Sequence, residues 1–205
     1  MPARAFFIAV EGGEGVGKST QAARLASFLH ACGSREPGGT VLGERIRTLL
    51  LGSSVGSLDV RAELYLILAA RAQHVSERIR PMLTEGNVVV VDRFSGSTLA
   101  YQGFGRGLPL DVVRRQCDIA TGGLWPDLTI LLDLAVDEGV GRRSEVPDRI
   151  ERETTSFHDR VRKGYLELAR DDPSWVVVDA SPDVDAVAQH IAALVQDRLE
   201  LGAQR

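Results

Sequence analysis

An α/β fold, with a parallel sheet of up to five strands flanked by helices on both faces, is what this sequence predicts. Three observations lead there. Short runs rich in Val, Ile, Leu and Phe recur at residues 5–10, 87–91, 128–132 and 175–178, and strands buried on both faces of a parallel sheet read this way. Segments with apolar residues at helical spacing separate them. The first run leads directly into a glycine-rich turn, Gly12-Gly13-Glu14-Gly15-Val16-Gly17-Lys18-Ser19, and a helical pattern follows at once. That order puts ligands at the carboxyl ends of the strands.

Taken along the chain, the strand at 5–10 and its turn precede a helix with Ala22, Leu25, Ala26 and Leu29 on one face, expected to end near Cys32 and Gly33. The next helix shows Leu42, Ile46, Leu49 and Leu50 at helical spacing. A longer one begins at Asp59, a suitable N-cap, and carries Leu64, Leu68, Val75, Ile79 and Met82 on its core side, with Pro81 expected to kink or end it. After the strands at 87–91 and 128–132 come Ile150, Phe157, Val161 and Leu168. Beyond the strand at 175–178, Val184, Val187, Ile191 and Leu194 form the last apolar face.

This length suits one well-buried core, and no repeat or linker interrupts it, so a single domain over 1–205 is expected. Hydrophobic residues make up 44% and charged residues 25% of the chain, which excludes disorder as its main business. A formal net charge of −4 offers no general field for nucleic acid, so any positive site must be local. Cys32 and Cys117 show no CxxC spacing and there is no His cluster. Neither a disulfide framework nor a zinc site is suggested, and the cytoplasm is the expected compartment. The apolar run at 5–10 stops at Glu11, too short for a signal-peptide core or a bilayer span, so no membrane partner is expected.

The glycine-rich turn fits Gly12-x-x-x-x-Gly17-Lys18-Ser19, the P-loop, which places the fold in the P-loop NTPase type. Its backbone N–H groups converge on nucleotide phosphates and Lys18 reaches their outer oxygens. Ser19 would put a hydroxyl on Mg²⁺, and the helix starting near Lys18 aims its positive dipole end at the phosphates. At 88–94, VVVVDRF brings Asp92 out of a buried strand beside the P-loop strand. An acid there can hold Mg²⁺-bound water or orient a phosphoryl acceptor. Arg93 can grip a second phosphate bidentately; the plain alternative is a surface ion pair. In SREPGGTVLGERIR at 34–47, Pro37-Gly38-Gly39 fixes a tight turn and Arg47 lies on the helix that follows. This suits a loop closing over a small acceptor, and equally plain turn chemistry.

With STLAYQG at 97–103, PDLTILLDL at 126–134 and EVPDRIERE at 145–153, these stretches resemble bacterial thymidylate kinase over nearly the whole chain. The resemblance implies transfer of the ATP γ-phosphoryl group to dTMP, giving dTDP and ADP with Mg²⁺, on a five-stranded sheet with a lid at about 140–150. Carried over, Gly12, Gly13, Glu14, Gly15, Val16, Gly17, Lys18, Ser19 and Thr20 hold ATP, and Ser19 and Asp92 serve the metal. Arg47, Arg71 and Arg93 meet the acceptor phosphate or base. Pro37, Ser97, Thr98, Tyr101 and Gln102 line the thymidine pocket, and Glu14 matches an acid near the sugar. Ile67 stands where the family often has an aromatic that stacks on the base, so apolar contact is expected instead. The P-loop has no arginine of its own, so Arg142, Arg143 and Arg149 of the lid are the catalytic candidates beside Lys18, Asp92 and Arg93. A homodimer is implied as well, through the apolar faces of the helix from Asp59 and of 111–120.

Two rival readings remain open at this level. One is a P-loop kinase for another small phosphorylated acceptor. The other is a GTP-dependent switch or binding module, although no guanine-reading Asn-Lys-x-Asp is present. One stretch departs from the resemblance. Relatives carry a whole second strand after the P-loop helix, whereas here only Ser34 separates Cys32-Gly33 from Arg35-Glu36-Pro37. Roughly six residues, enough to cross on the order of 20 Å of sheet, are lacking. Either the strand is deleted or residues are missing, which would leave a step longer than about 3.8 Å between Cα atoms somewhere in 33–36. The lid looks short at 141–145 by the same reasoning.

Overall fold

Alternation along β1 (Phe6–Gly12) divides the core into two layers. Ile8 and Val10 face Ala22, Leu25 and Ala26 of α1 (Lys18–Phe28), while Phe7 and Ala9 face the opposite side of the sheet, as period-2 geometry requires. The computed structural model describes residues 5–52, 56–142 and 147–203. In it β2 (Cys32–Arg35), β3 (Val88–Asp92), β4 (Leu128–Asp133) and β5 (Trp175–Asp179) join β1 in one parallel sheet ordered β2-β3-β1-β4-β5. The strand order reverses at β1, and the crevice beyond its carboxyl end is where such sheets bind ligands.

The first layer is completed by α9 (Val184–Ala203), whose Val187, Ile191 and Val195 are buried against the sheet. On the second layer α3 (Val60–His74) continues through a π-helical stretch, Val75–Ile79, into α4 (Arg80–Thr84). Val75 and Ile79 are buried against Phe7, Val89 and Val91. Farther along the sheet, Leu131 packs with Phe157, Val161 and Tyr165 of α8 (Thr155–Asp171). Asp59 caps α3 as expected, its side chain accepting from the Arg61 N–H at 2.8 Å. Pro81 does not end the helix, which runs on to Thr84.

The expectation of a lost second strand is overturned. β2 pairs one to one with consecutive residues of β3, Cys32 with Val89, Gly33 with Val90, Ser34 with Val91 and Arg35 with Asp92. The Glu36 N–H extends the ladder to the Asp92 carbonyl at 2.9 Å. An unbroken register leaves no place for a gap or a deletion within 33–36. The room comes from the helix before it: α1 stops at Phe28, and His30 at φ 51° turns the chain into the strand. The second expected gap, at 141–145, falls largely on 143–146 and lies outside the described residues. In α2 (Val41–Leu51) only Ile46 and Leu50 of the expected apolar face are buried, and Leu42 and Leu49 are exposed. Val184, at the start of α9, is also exposed.

Candidate active site

At the carboxyl end of β1 the turn is made by glycines that no other residue could replace without strain. Gly12, Gly15 and Gly17 have φ of 146°, 73° and 86°, values that L side chains rarely adopt. A Cβ on Gly15 would stand 2.0 Å from the Gly139 carbonyl oxygen, because α7 (Val136–Val140) lies against the loop backbone to backbone. Lys18 is buried at the start of α1 and its ammonium donates to the Gly13 carbonyl. Burial, and then the Arg93 charge, lower its pKa to about 8 against the pull of Glu14, Asp92 and Glu11.

Asp92 and Arg93 leave β3 beside this turn. Asp92 Oδ2 accepts from the Ser19 hydroxyl at 2.5 Å, and its Oδ1 is buried with no protein partner. A hydroxyl and a carboxylate with a spare oxygen are hard donors of the kind Mg²⁺ takes, so these residues fit that ion. Arg93 sits at φ 66°. Its guanidinium donates to the Gly12 carbonyl at 3.1 Å, to Ser97 Oγ at 3.2 Å and to Glu14 Oε1 at 2.7 Å, and lies over the Tyr101 ring at 5.2 Å. Burial would push the Glu14 carboxyl up, but Arg93, Lys18 and the Tyr101 hydroxyl at 2.6 Å hold it at about 2.

A cleft of about 420 Å³ opens from here. It is lined by Glu14, Gly15, Gly17, Lys18, Ser19 and Thr20 of the turn and by Pro37, Arg47, Ile67, Arg71, Asp92, Arg93, Ser97, Thr98, Tyr101, Gln102, Arg142 and Arg149. Gly12 is not among the lining residues, and Gly13 and Val16 border a smaller cavity beneath the loop. Arg143 lies outside the described residues. Three local devices set the lining. Thr40 caps α2 through the Gly43 N–H at 3.0 Å, and Arg47, two turns along α2, reaches back to the Pro37 carbonyl at 3.0 Å. α5 (Ser95–Thr98) runs into a second π-helical stretch, Leu99–Gly105, which carries Tyr101 and Gln102. π-Turns of this kind recur at functional sites.

The two described arginines of the expected lid are both engaged. Arg142 donates to the Ala180 carbonyl at 2.9 Å and the Ser181 carbonyl at 3.2 Å. Arg149 donates to the Leu50 carbonyl at 2.7 Å, and its Nη2 stands 2.7 Å from Glu63 Oε2.

Several buried carboxylates escaped the sequence reading. Glu11 closes β1 and accepts from the Phe94 and Ser97 N–H groups at 2.9 and 3.0 Å and from the Ser97 hydroxyl at 2.6 Å. Burial raises its pKa despite these bonds. Glu63, on one face of α3 with Arg71 and His74, collects Gln102 at 2.8 Å, Arg106 at 3.0 Å and Arg149. Burial opposes its ionisation, yet these donors hold its pKa below the usual carboxylate value. Glu36 meets Arg71 at 2.7 Å and His74 at 3.0 Å. The available signal was the spacing of Glu63, Arg71 and His74 on one face of an otherwise apolar helix.

Comparison with known proteins points to one family. A family model described as thymidylate kinase matches residues 10–191. A thymidylate kinase of Desulfovibrio desulfuricans is 48% identical over 204 residues, covering 92% of this chain and 94% of that protein. One from a Synechococcus species is 50% identical over 199 residues, covering 94% and 96%. The crystal structure of thymidylate kinase from Ehrlichia chaffeensis superposes with a TM-score of 0.78 at 31% identity, covering 94% of this chain and 99% of that one.

Proposed function

We infer that this chain, which belongs to the thymidylate kinase family, transfers the γ-phosphoryl group of ATP to dTMP and releases dTDP and ADP. An oxygen of the acceptor's 5′-phosphate forms the new bond to the γ-phosphorus as the bond to the β-phosphate bridging oxygen breaks. Phosphoryl transfer of this kind asks for alignment and charge neutralisation more than for a covalent partner.

The observation that carries the reading is the junction at Arg93. One guanidinium donates to a P-loop carbonyl, through Gly12, and to Ser97 on the far wall of the cleft, so donor and acceptor halves share a cation. In this reading the loop from Gly12 to Thr20 holds ATP and Lys18 neutralises its outer oxygens. Arg47 and Arg93 take the acceptor phosphate. Pro37, Ile67, Arg71, Ser97, Thr98, Tyr101 and Gln102 enclose the thymidine, with Glu14 near the sugar. Ser19 and Asp92 would hold Mg²⁺, which when bound offsets charge on the phosphates. Arg142, Arg143 and Arg149 supply the lid's charge and exclude water.

We further propose a single domain working in the cytoplasm as a homodimer. Support for the dimer comes from Tyr65 of α3 and Val112 and Ile119 of α6 (Leu110–Thr121), large apolar side chains left exposed on two helices that pack together. No helix among the described residues is long and apolar enough to cross a membrane. ADP release measured with dTMP, dUMP, dCMP, dGMP and dAMP as acceptors tests the function. A chain that turns over another acceptor at the expense of dTMP is not a thymidylate kinase in practice.

A further inference from the structure

Behind the acceptor half of the cleft runs a buried polar chain that the transfer itself does not use. Ser34 Oγ lies 2.7 Å from His74 Nε2, His74 Nδ1 lies 3.0 Å from Glu36 Oε1, and Glu36 Oε2 accepts from Arg71 Nε at 2.7 Å. Glu36, Arg71 and His74 are 5%, 2% and 0% exposed, so the two bonds to Glu36 form away from water and breaking either leaves a costly orphan, while the Ser34 bond is partly buried.

The proton pattern is set by chemistry. A carboxylate only accepts, so with the imidazole neutral Nδ1 carries the hydrogen toward Glu36 and Nε2 accepts from the Ser34 hydroxyl. Both oxygens of Glu36 are then oriented, one by His74 and one by Arg71. The remaining bonds of Arg71 go to Thr98 Oγ1 at 2.8 Å, Cys117 Sγ at 3.7 Å and the Phe94 carbonyl at 2.9 Å. Of its five N–H donors, that leaves one for the cleft it lines. The Pro37-Gly38-Gly39 turn closes over the chain: at φ 76°, a Cβ on Gly39 would stand 2.6 Å from His74 Nε2 and 2.8 Å from Ser34 Oγ.

We propose that His74 and Ser34 are positioning residues for the acceptor, fixing the Glu36 carboxylate so that Arg71 presents its remaining donor to dTMP at one angle. The proposal rests on the reading of this cleft as the dTMP site. It separates the acceptor from the donor, because Lys18 and Ser19 belong to the P-loop and α1 and make no bond to this chain.

Steady-state kinetics of the whole chain, with dTMP and ATP each varied, tests it. His74→Leu should raise KM for dTMP about tenfold or more and leave KM for ATP within about twofold. His74→Asn, whose amide can still donate to Glu36, should recover most of that loss. Ser34→Ala should cost about threefold in KM for dTMP alone, because it loosens the imidazole without removing it. Equal rises in both KM values with no recovery in His74→Asn would overturn the proposal in favour of plain packing. So would an unchanged KM for dTMP in a folded His74→Leu protein. If His74→Leu does not fold, an unchanged KM for dTMP in Ser34→Ala overturns it. A wild-type chain that phosphorylates no dTMP defeats the acceptor reading itself, whereas an active wild type with indifferent variants defeats the positioning role alone.

Discussion

Arg93 and Glu14 form an ion pair at 2.7 Å between the end of β3 and the middle of the P-loop. Each side chain is less than one-fifth exposed, so the pair belongs to the interior of the site and is not a surface decoration. The same guanidinium serves Gly12, Ser97 and the Tyr101 ring. Only a planar fork reaches all of these at once, and Arg93→Lys keeps the charge while losing the geometry. We expect kcat/KM for dTMP to fall about a hundredfold. Steady-state rates equal to wild type would reduce Arg93 to a structural pair.

The Glu14 carboxyl gives a pH signature. Its folded pKa is about 2, depressed from 4.5, so the stability it contributes is complete above pH 4.5 and is lost as pH falls toward 2. Over that window it adds a slope of about 1.4 kcal/mol per pH unit. Glu14→Gln should be less stable at neutral pH and should flatten that slope. Urea midpoints taken from pH 7 down to 2.5 measure both, and an unchanged slope counts against the ion pair.

Lys18 is expected to matter to chemistry and not to folding. Its ammonium is buried, bonds to a single carbonyl and has its pKa lowered by burial and by Arg93. Lys18→Ala therefore removes a desolvated charge that the fold gains little from. Turnover should drop on the order of a hundred- to a thousandfold with the melting temperature within about 3 °C. Near wild-type turnover would show that the donor phosphates lie elsewhere.

For the lid, Arg142→Ala combined with Arg143→Ala should lower kcat by about a hundredfold while KM for ATP stays within about threefold. Such a split marks contacts made in the transition state. A rise confined to KM for ATP would assign the pair to ground-state binding.

Glu63 makes the strongest stability prediction. It is buried under Gln102, Arg106 and Arg149, so Glu63→Gln takes the paired carboxylate from Arg149 and leaves Arg106 with Glu153 alone. We expect a loss of about 3 kcal/mol in chemical denaturation. Wild-type stability would show that the cations are solvated instead.

The strands β1, β3 and β4 could be read directly because apolar residues fill them on both faces. β2 could not. Cys32-Gly33-Ser34-Arg35 has no β-branched residue and lies at the sheet edge, half exposed, so backbone pairing with β3 makes it a strand. The helix before it ends at a left-handed His30, three residues ahead of the glycine that the sequence offers as its terminus. In the site, residues inside short motifs were legible, since the loop, DRF and REPGG each concentrate their chemistry in a few positions. Glu63, Ser34 and His74 were not, because their partners come from other elements and only the fold brings them together.

Gly15 and Gly139 meet across a seam built from backbone alone, with the Glu14 carbonyl 2.5 Å from where a Cβ of Gly139 would sit. Most contacts between elements can be tuned by trading one side chain for another, and cores drift in this way without losing their shape. This one offers no such handle. The segment leading into 143–146 is therefore registered to the phosphate loop by main-chain geometry, and substitutions elsewhere in α7 can change its surface without changing that alignment. An engineer seeking to shift one section against the other would have to change the length of the chain between them.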